Sequence, residues 1–378
     1  MTWIHPPPPT VWGPDSIDNL AAYLDTRDLG NVLVVTDEGV VEAGVVDSCL
    51  QTLSTGYRVF DEVSPNPSRA TVDRVNAACD GVDAVIAVGG GSVMDAAKAA
   101  TALDTVGTGE DPLDDLREWP THRPVPDPDS KCRLVLVPTT AGTGSETGHW
   151  AVVSDENQNR KLSVGHPIMT ADLAVLDPKL TTSLPPYMTA ASGFDVVAHS
   201  LEALVADGAT LLTQPAARVA FEHAVIALPR AVEDGSNVGT RSTMLAASYL
   251  AGWSMNNAGL GAVHGISHAI GGLYDTPHGH TNALLLPAVI RHNAQGSDHA
   301  ASTYADLVES RTAPGETLAS RLVRLRDTLD LDHDLPGLPV NPDWETVAAV
   351  ALDNVNMRSN PVELSVDEVI RICERAFE

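Results

Sequence analysis

Six side chains able to bind a metal fall into three close pairs in the second half of the chain. Asp195 and His199 stand four residues apart in Gly193-Phe-Asp-Val-Val-Ala-His-Ser-Leu-Glu202. On a helix that spacing puts both on one face. His264 and His268 repeat it in Gly261-Ala-Val-His-Gly-Ile-Ser-His268, and His278 and His280 share Thr276-Pro-His-Gly-His280, which is expected to turn. A single histidine on an apolar helix face is usually a core residue. Two such pairs and a histidine turn within one helical stretch point instead to a bound cation. Imidazole suits iron, zinc, nickel or copper, and one carboxylate hardens the site. No cysteine is close in sequence, which argues against a thiolate zinc centre. Spacing alone leaves open which of the six groups bind.

Two further segments suit a dinucleotide. Val88-Gly-Gly-Gly-Ser-Val-Met-Asp95 follows an expected strand and opens an expected helix. Gly89, Gly90 and Gly91 allow a sharp turn and close approach of a ligand, and with Ser92 they lead into free N–H groups at a helix start. Met94 stands where the last glycine of a full G-x-G-x-x-G would be. Pro138-Thr-Thr-Ala-Gly-Thr-Gly-Ser-Glu146 also follows a strand and is dense in hydroxyls. Two such loops at the carboxyl ends of strands fit the rule for ligand sites in open α/β sheets. Asp37 ends the first expected strand. A carboxylate there accepts from a ribose hydroxyl and repels a 2′-phosphate, although it can equally cap a helix.

The elements that must position these groups change in kind along the chain. Strands are expected at Val32–Thr36, Tyr57–Phe60, Ala84–Val88, Leu134–Val137 and Ala174–Leu176, with helices at Ser68–Ala78 and Val93–Leu103 between them. Alternation of this kind predicts a parallel sheet covered on both faces. Thr121–Asp129 is expected to be a surface loop. After Asp177 the pattern becomes helical: Tyr187–Ala206, Gln214–Glu233, Thr240–Met255, Val263–Gly271, Glu316–Leu329 and Trp344–Asn354. The expectation is an α/β domain over residues 1–182 and an all-helical, metal-binding domain over 183–378.

The chain has 23 Lys and Arg against 50 Asp and Glu, a formal charge of −27. Lysine is confined to Lys98, Lys131, Lys161 and Lys179. So large and dispersed a negative charge repels nucleic acid and itself, and concentrated salt screens it. A salty cytoplasm, as in a halophile, is expected. Four separated cysteines suit a reducing compartment. No signal peptide and no membrane span are expected. A soluble cytoplasmic protein is expected, with no nucleic-acid or membrane partner, as a homodimer or higher homo-oligomer.

Together the motifs resemble the iron-containing (group III) alcohol dehydrogenase family over nearly the whole chain. The match includes Val34-Val-Thr-Asp37, Pro65-Asn-Pro67, Gly89-Gly-Gly-Ser92 with Asp95 and Lys98, and the Pro138–Glu146 loop. It continues through Asp195-x3-His199-x2-Glu202, His264-Gly-x2-His268, Pro277-His-Gly279, Asn282-Ala283 and Leu286-Pro287. The resemblance implies a Rossmann-like domain and a helical domain, the dehydroquinate synthase-like fold, with a cleft between them. It implies a metal on Asp195, His199, His264 and His278, as Fe²⁺ with Zn²⁺ competing. It leaves His268 beside the metal, in proton transfer or against nicotinamide. Asn66, Gly90 to Ser92, Thr139, Thr140, Thr143 and Lys161 match cofactor positions, and Asp37 matches the position that favours NAD over NADP. The family commonly has threonine two residues after the loop glutamate, where this chain has Gly148, followed by His149 and Trp150. His280 is not a fixed feature, and its simplest reading is a group that supports the metal's ligands from behind or lies at the surface.

The implied reaction is hydride transfer between the carbinol carbon of a small alcohol and a nicotinamide, the metal acting as Lewis acid. Trp253, Met255 and Leu260 are expected to line a pocket for a small, mostly neutral alcohol or aldehyde, and Arg218 or Arg241 could serve a single carboxylate. Maleylacetate reductases share the fold but tend to have Asn where Asp195 stands. Glycerol dehydrogenases use a smaller zinc site. Dehydroquinate synthases need basic residues for a phosphate and a carboxylate, which the scarcity of lysine here disfavours, and a non-catalytic NAD- and metal-binding protein is the reading outside enzymes.

Overall fold

A computed structural model describes residues 3–51, 53, 56–106, 113, 116, 132–156, 160–309 and 317–378. The strands are β1 (Thr10–Trp12), β2 (Val32–Val35), β3 (Tyr57–Phe60), β4 (Ala84–Gly89), β5 (Arg133–Pro138), β6 (Trp150–Asp155), β7 (Arg160–Gly165) and β8 (Leu173–Leu176). Six of them form one parallel sheet in the order β1-β8-β5-β4-β2-β3.

The short apolar runs become central strands because both faces of this sheet are buried. Leu33, Val35, Val85, Ala87, Leu134 and Leu136 pack one way, with α4 (Arg69–Ala78) and α5 (Gly91–Val106). Val32, Val34, Ala84, Ile86, Val135 and Val137 pack the other way, with α1 (Asn19–Asp25) and α3 (Val45–Leu50). Side chains alternate with period two, so a strand covered on both sides has no polar face. The short α2 (Glu38–Glu42) follows β2.

From Pro186 onward the described residues form helices and no strand. They are α6 (Pro186–Val205), α7 (Thr213–Glu233), α8 (Val238–Ala258), α9 (Ala262–Tyr274), α10 (His278–Gly296), α11 (Asp298–Glu309), α12 (Leu318–Thr328), α13 (Trp344–Leu352) and α14 (Val366–Phe377). Their inner faces share one core, with Phe194, Phe221, Leu245, Ile266 and Leu286 buried in it. Among the described residues no helix is long and apolar enough to cross a membrane.

Three expectations are corrected. The Pro277-His-Gly-His280 segment is not a free-standing turn. Pro277 is the N-cap of α10 and His278 its first residue. Proline fits there because its fixed φ suits a helix start and its missing N–H would have gone unpaired. The α/β part also contains β1 and an antiparallel β6–β7 hairpin that the apolar pattern did not signal. α11 and α14 were likewise not expected. The expected loop at 121–129 lies outside the described residues, as does Glu316, the expected start of α12.

Candidate functional site

On α6, Asp195, His199 and Glu202 stand at i, i+4 and i+7, a single helical stripe. α9 brings His264 and His268, and the first residue of α10 brings His278. Nε2 of His199, His264 and His278 lies 3.6, 3.4 and 3.6 Å from the same oxygen, Oδ1 of Asp195. One ligand atom from each of Asp195, His199 and His264 falls within 4.8 Å of the others. The rings of His264 and His278 lie 5.2 Å apart, and those of His268 and His278 5.3 Å.

The chemistry of these donors suits a cation. Burial lowers His199 to about 4 and His278 to about 3, so both imidazoles are neutral at pH 7. Burial would raise Asp195, but His199, His278 and His264 hold it below the ordinary carboxylate range. Burial would lower His264, and the Glu202 and Asp195 carboxylates override it and raise it to about 9. Asn282 donates from Nδ2 to Asp195 Oδ1 at 2.8 Å and lies 3.3 and 3.2 Å from Nε2 of His264 and His278. Nδ1 of His264 is held by Glu202 Oε2 at 2.5 Å and Nδ1 of His278 by Ser267 Oγ at 3.0 Å. Both rings therefore present Nε2 to the centre. Three nitrogens and a carboxylate oxygen fit iron or zinc.

The same cleft contains the two loops. It measures about 1460 Å³, more than the roughly 300–1,000 Å³ of a single small-ligand site. Asp37, Asn66, Gly90, Gly91, Ser92, Thr139, Thr140, Thr143 and Lys161 line one stretch, and Asp195, His199, His264, His268 and His278 another. Gly89 does not line it. A Cβ on Gly89 would sit 2.6 Å from Val93 Cγ2, so this glycine serves strand-to-helix packing. Nor do Gly89 to Gly91 adopt left-handed backbone. Gly91 is needed for closeness, since a Cβ there would lie 2.5 Å from Thr143 Cγ2 where the two loops meet. Gly144 carries both demands, with φ +59° and α8 backbone 2.6 Å from a would-be Cβ.

Asp37 Oδ1 caps α2 by accepting from Val40 N at 2.9 Å, and its side chain still faces the cleft. Lys161 donates to Asn66 Oδ1 at 2.8 Å, and burial lowers its pKa to about 8. Among the described residues lining the cleft it is the single lysine or arginine. Arg241 is buried, donating to Gly235 O, Thr189 Oγ1 and Leu184 O, and neither it nor Arg218 lines the cleft. Met255 and Leu260 do. Trp253 instead donates to His5 O at 2.9 Å. His268 is buried, lines the cleft, and is kept neutral by burial and by His278, His264 and Lys161.

Two departures from the family pattern have a physical account. A Cβ on Gly148 would meet Asn256 Oδ1 at 2.3 Å, so the Asn256 side chain fills the space a larger residue would take. His149 turns away from the cleft and packs on His5 at 4.5 Å between centroids, while Trp150 lines the cleft. His280 is buried, not on the surface. Its Nε2 meets Asp332 O at 2.7 Å and its Nδ1 meets Tyr187 Oη at 3.2 Å. Glu202, Ser267 and Asn282 were not singled out by spacing. A carboxylate seven residues after Asp195 was the available signal for the first.

Comparison with known proteins decides the family. A model described as iron-containing alcohol dehydrogenase matches residues 7–178, and a second, the C-terminal part of the Fe-containing alcohol dehydrogenase family, matches residues 189–377. The chain belongs to the iron-containing alcohol dehydrogenase family. It is 31% identical over 387 residues to alcohol dehydrogenase 4 of Saccharomyces cerevisiae, covering 100% of this chain and 99% of that protein. It is 30% identical over 390 residues to lactaldehyde reductase of Escherichia coli, covering 97% and 98%. The crystal structure of a 1,3-propanediol oxidoreductase superposes with a TM-score of 0.88 at 30% identity, covering 100% of both chains. As an iron-containing alcohol dehydrogenase, the protein is an oxidoreductase that interconverts alcohols and aldehydes.

Proposed function

We propose that the protein transfers a hydride between a small, mostly neutral alcohol and NAD, with Fe²⁺ held by Asp195, His199, His264 and His278. The observation that carries this reading is the approach of three imidazole Nε2 atoms to one buried carboxylate oxygen, in the cleft that both loops line. Zn²⁺ suits the same donors. The bound cation supplies Lewis acidity, and the dinucleotide accepts or gives the hydride.

The chain's own residues bind and orient. Gly90, Gly91 and Ser92 open α5, whose N-terminal N–H groups favour the pyrophosphate. Thr139, Thr140 and Thr143 offer hydroxyls, Lys161 and Asn66 line the same cleft beside them, and Asp37 disfavours a 2′-phosphate. Trp150, Met255 and Leu260 give the substrate end apolar walls. With Lys161 engaged by Asn66, a multiply anionic substrate finds no free cation there. Relatives named for lactaldehyde and 1,3-propanediol agree with short substrates.

His268 takes the proton from the reacting hydroxyl side toward solvent. His268→Ala should lower turnover and alter its pH profile, and an unchanged profile removes that role. The division near residue 182 lies between the end of β8 and the start of α6. A homodimer in a salty cytoplasm completes the proposal. The test is NADH absorbance with short alcohols in concentrated salt, anaerobically, with added Fe²⁺ or Zn²⁺. Absence of turnover in every metal form defeats the reading.

A further inference from the structure

We infer that Glu202 is a positioning residue for the metal centre, fixing the ring of His264 so that Nε2 alone is offered to the cation. The inference rests on the metal site proposed above and concerns a residue outside its ligand set. Glu202 is 4% exposed, and a carboxylate buried to that degree must spend both oxygens on donors. Oε2 accepts from His264 Nδ1 at 2.5 Å, and Oε1 accepts from Val263 N at 2.7 Å. One side chain thus holds both the ligand ring and the first turn of the helix that carries it.

The surroundings are built for this contact. The N-cap of α9 is Gly261, which has no side chain to cap the helix. The exposed N–H groups are capped from other elements: Glu202 takes Val263 N, and Asn360 Oδ1 takes Ala262 N at 3.1 Å. A Cβ on Gly261 would lie 2.7 Å from Asn360 Oδ1 and 3.0 Å from Glu202 Oε1, so a side chain there would push the caps away. Because Glu202 shares the α6 stripe with Asp195 and His199, the contact also locks the relative position of the two ligand-bearing helices. A carboxylate at a helix N-terminus is favoured by the helix dipole as well.

The consequence is a fixed tautomer. With Nδ1–H donating to Glu202, it is Nε2, 3.4 Å from Asp195 Oδ1, that would offer its lone pair once a cation takes the place of the proton there. Two buried carboxylates, Asp195 and Glu202, then balance the charge of a divalent cation. His278 has a neutral counterpart, Ser267 Oγ at 3.0 Å from its Nδ1.

Glu202→Gln separates positioning from fold. The glutamine oxygen can still accept from Val263 N, but its amide donates to His264 Nδ1 and forces the hydrogen onto Nε2. The experiment is anaerobic titration of the metal-free protein with Co²⁺ against a competing chelator, read by visible absorption, with NAD binding and the melting temperature of the metal-free form measured alongside. The expected result is Co²⁺ binding weakened about 10- to 100-fold, a smaller loss for Ser267→Ala, and unchanged NAD binding. Glu202→Gln binding Co²⁺ within about twofold of the parent overturns the role of Glu202 while leaving the metal site standing. A parent protein that binds no Co²⁺ defeats the site itself. If Glu202→Gln does not fold, the histidine nitrogen resonances of the Zn²⁺-loaded parent decide: the inference requires a hydrogen on His264 Nδ1, and its absence overturns it.

Discussion

Asn66 Nδ2 donates to Asp275 Oδ1 at 2.9 Å, joining the α/β part of the chain to the residue that ends α9, 209 positions away. The other end of the same amide accepts from Lys161 at 2.8 Å. Asn66 and Asp275 both adopt left-handed backbone, at φ +54° and +51°. Such conformations cost about 1–2 kcal/mol in most residues and less in Asn and Asp, whose side chains bond locally. Asp275 therefore sets the direction in which two proposed cofactor residues point.

Asp275→Gly tests this cleanly, because glycine accepts that backbone without strain. One exposed hydrogen bond of roughly 0.5–1.5 kcal/mol is removed. The dissociation constant for NAD should rise about 2- to 10-fold by fluorescence titration, with bound metal unchanged. An unaltered constant would mean that the contact positions nothing.

Asp37 has two duties, and substitutions can divide them. Asp37→Ser keeps an N-cap acceptor for Val40 N but removes the charge. Its kcat/KM ratio for NADP over NAD should rise roughly tenfold, about 1.4 kcal/mol, with stability within about 0.5 kcal/mol of the parent. Asp37→Ala should show the same change in ratio and lose about 1 kcal/mol of stability as well.

Glu146 gives a pH signature. It is buried, its Oε1 has no hydrogen-bond partner among the described residues, and burial raises its pKa to about 7 against an ordinary 4.5, opposed by a backbone hydrogen bond and Lys98. Between those values the folded protein binds a proton that the unfolded chain does not. Stability from this group is full below about 4.5 and falls as pH rises toward 7. Denaturation of the parent and of Glu146→Gln across that window should differ in slope by up to about 1.4 kcal/mol per pH unit. Parallel slopes would contradict the assignment.

Much of this architecture was legible because it is local. Four of the five expected strands were apolar runs of the length a doubly covered sheet needs, Tyr57–Phe60 being an exposed edge strand, and Asp195, His199, His264 and His268 announced themselves by helical spacing. What stayed hidden depends on contacts distant in sequence. Pro277-His-Gly-His looks like a turn until α6 is in place. Gly279 then proves to be the residue that lets α10 start against α6, since a Cβ would lie 2.1 Å from Ala191 O. That approach puts His278 beside Asp195. Gly148 likewise makes sense only once Asn256 occupies its space, 107 residues beyond His149, whose N–H Asn256 accepts. The partners of the ligand histidines, Glu202 and Ser267, carry no spacing signal strong enough to name their targets.

The most direct measurement is metal content and alcohol turnover of anaerobically purified protein beside its Asp195→Asn variant. Asparagine keeps the shape and can still accept from Asn282, but it brings no charge to the cation. The account predicts one divalent cation per parent chain, loss of turnover when a chelator removes it, and return of turnover with Fe²⁺. It predicts that Asp195→Asn loses metal affinity by at least about 100-fold, the upper end of what a partner residue outside the ligand set costs, and turnover with it. Metal-free parent protein, or Asp195→Asn without bound cation, oxidising alcohols at the parent rate would contradict it.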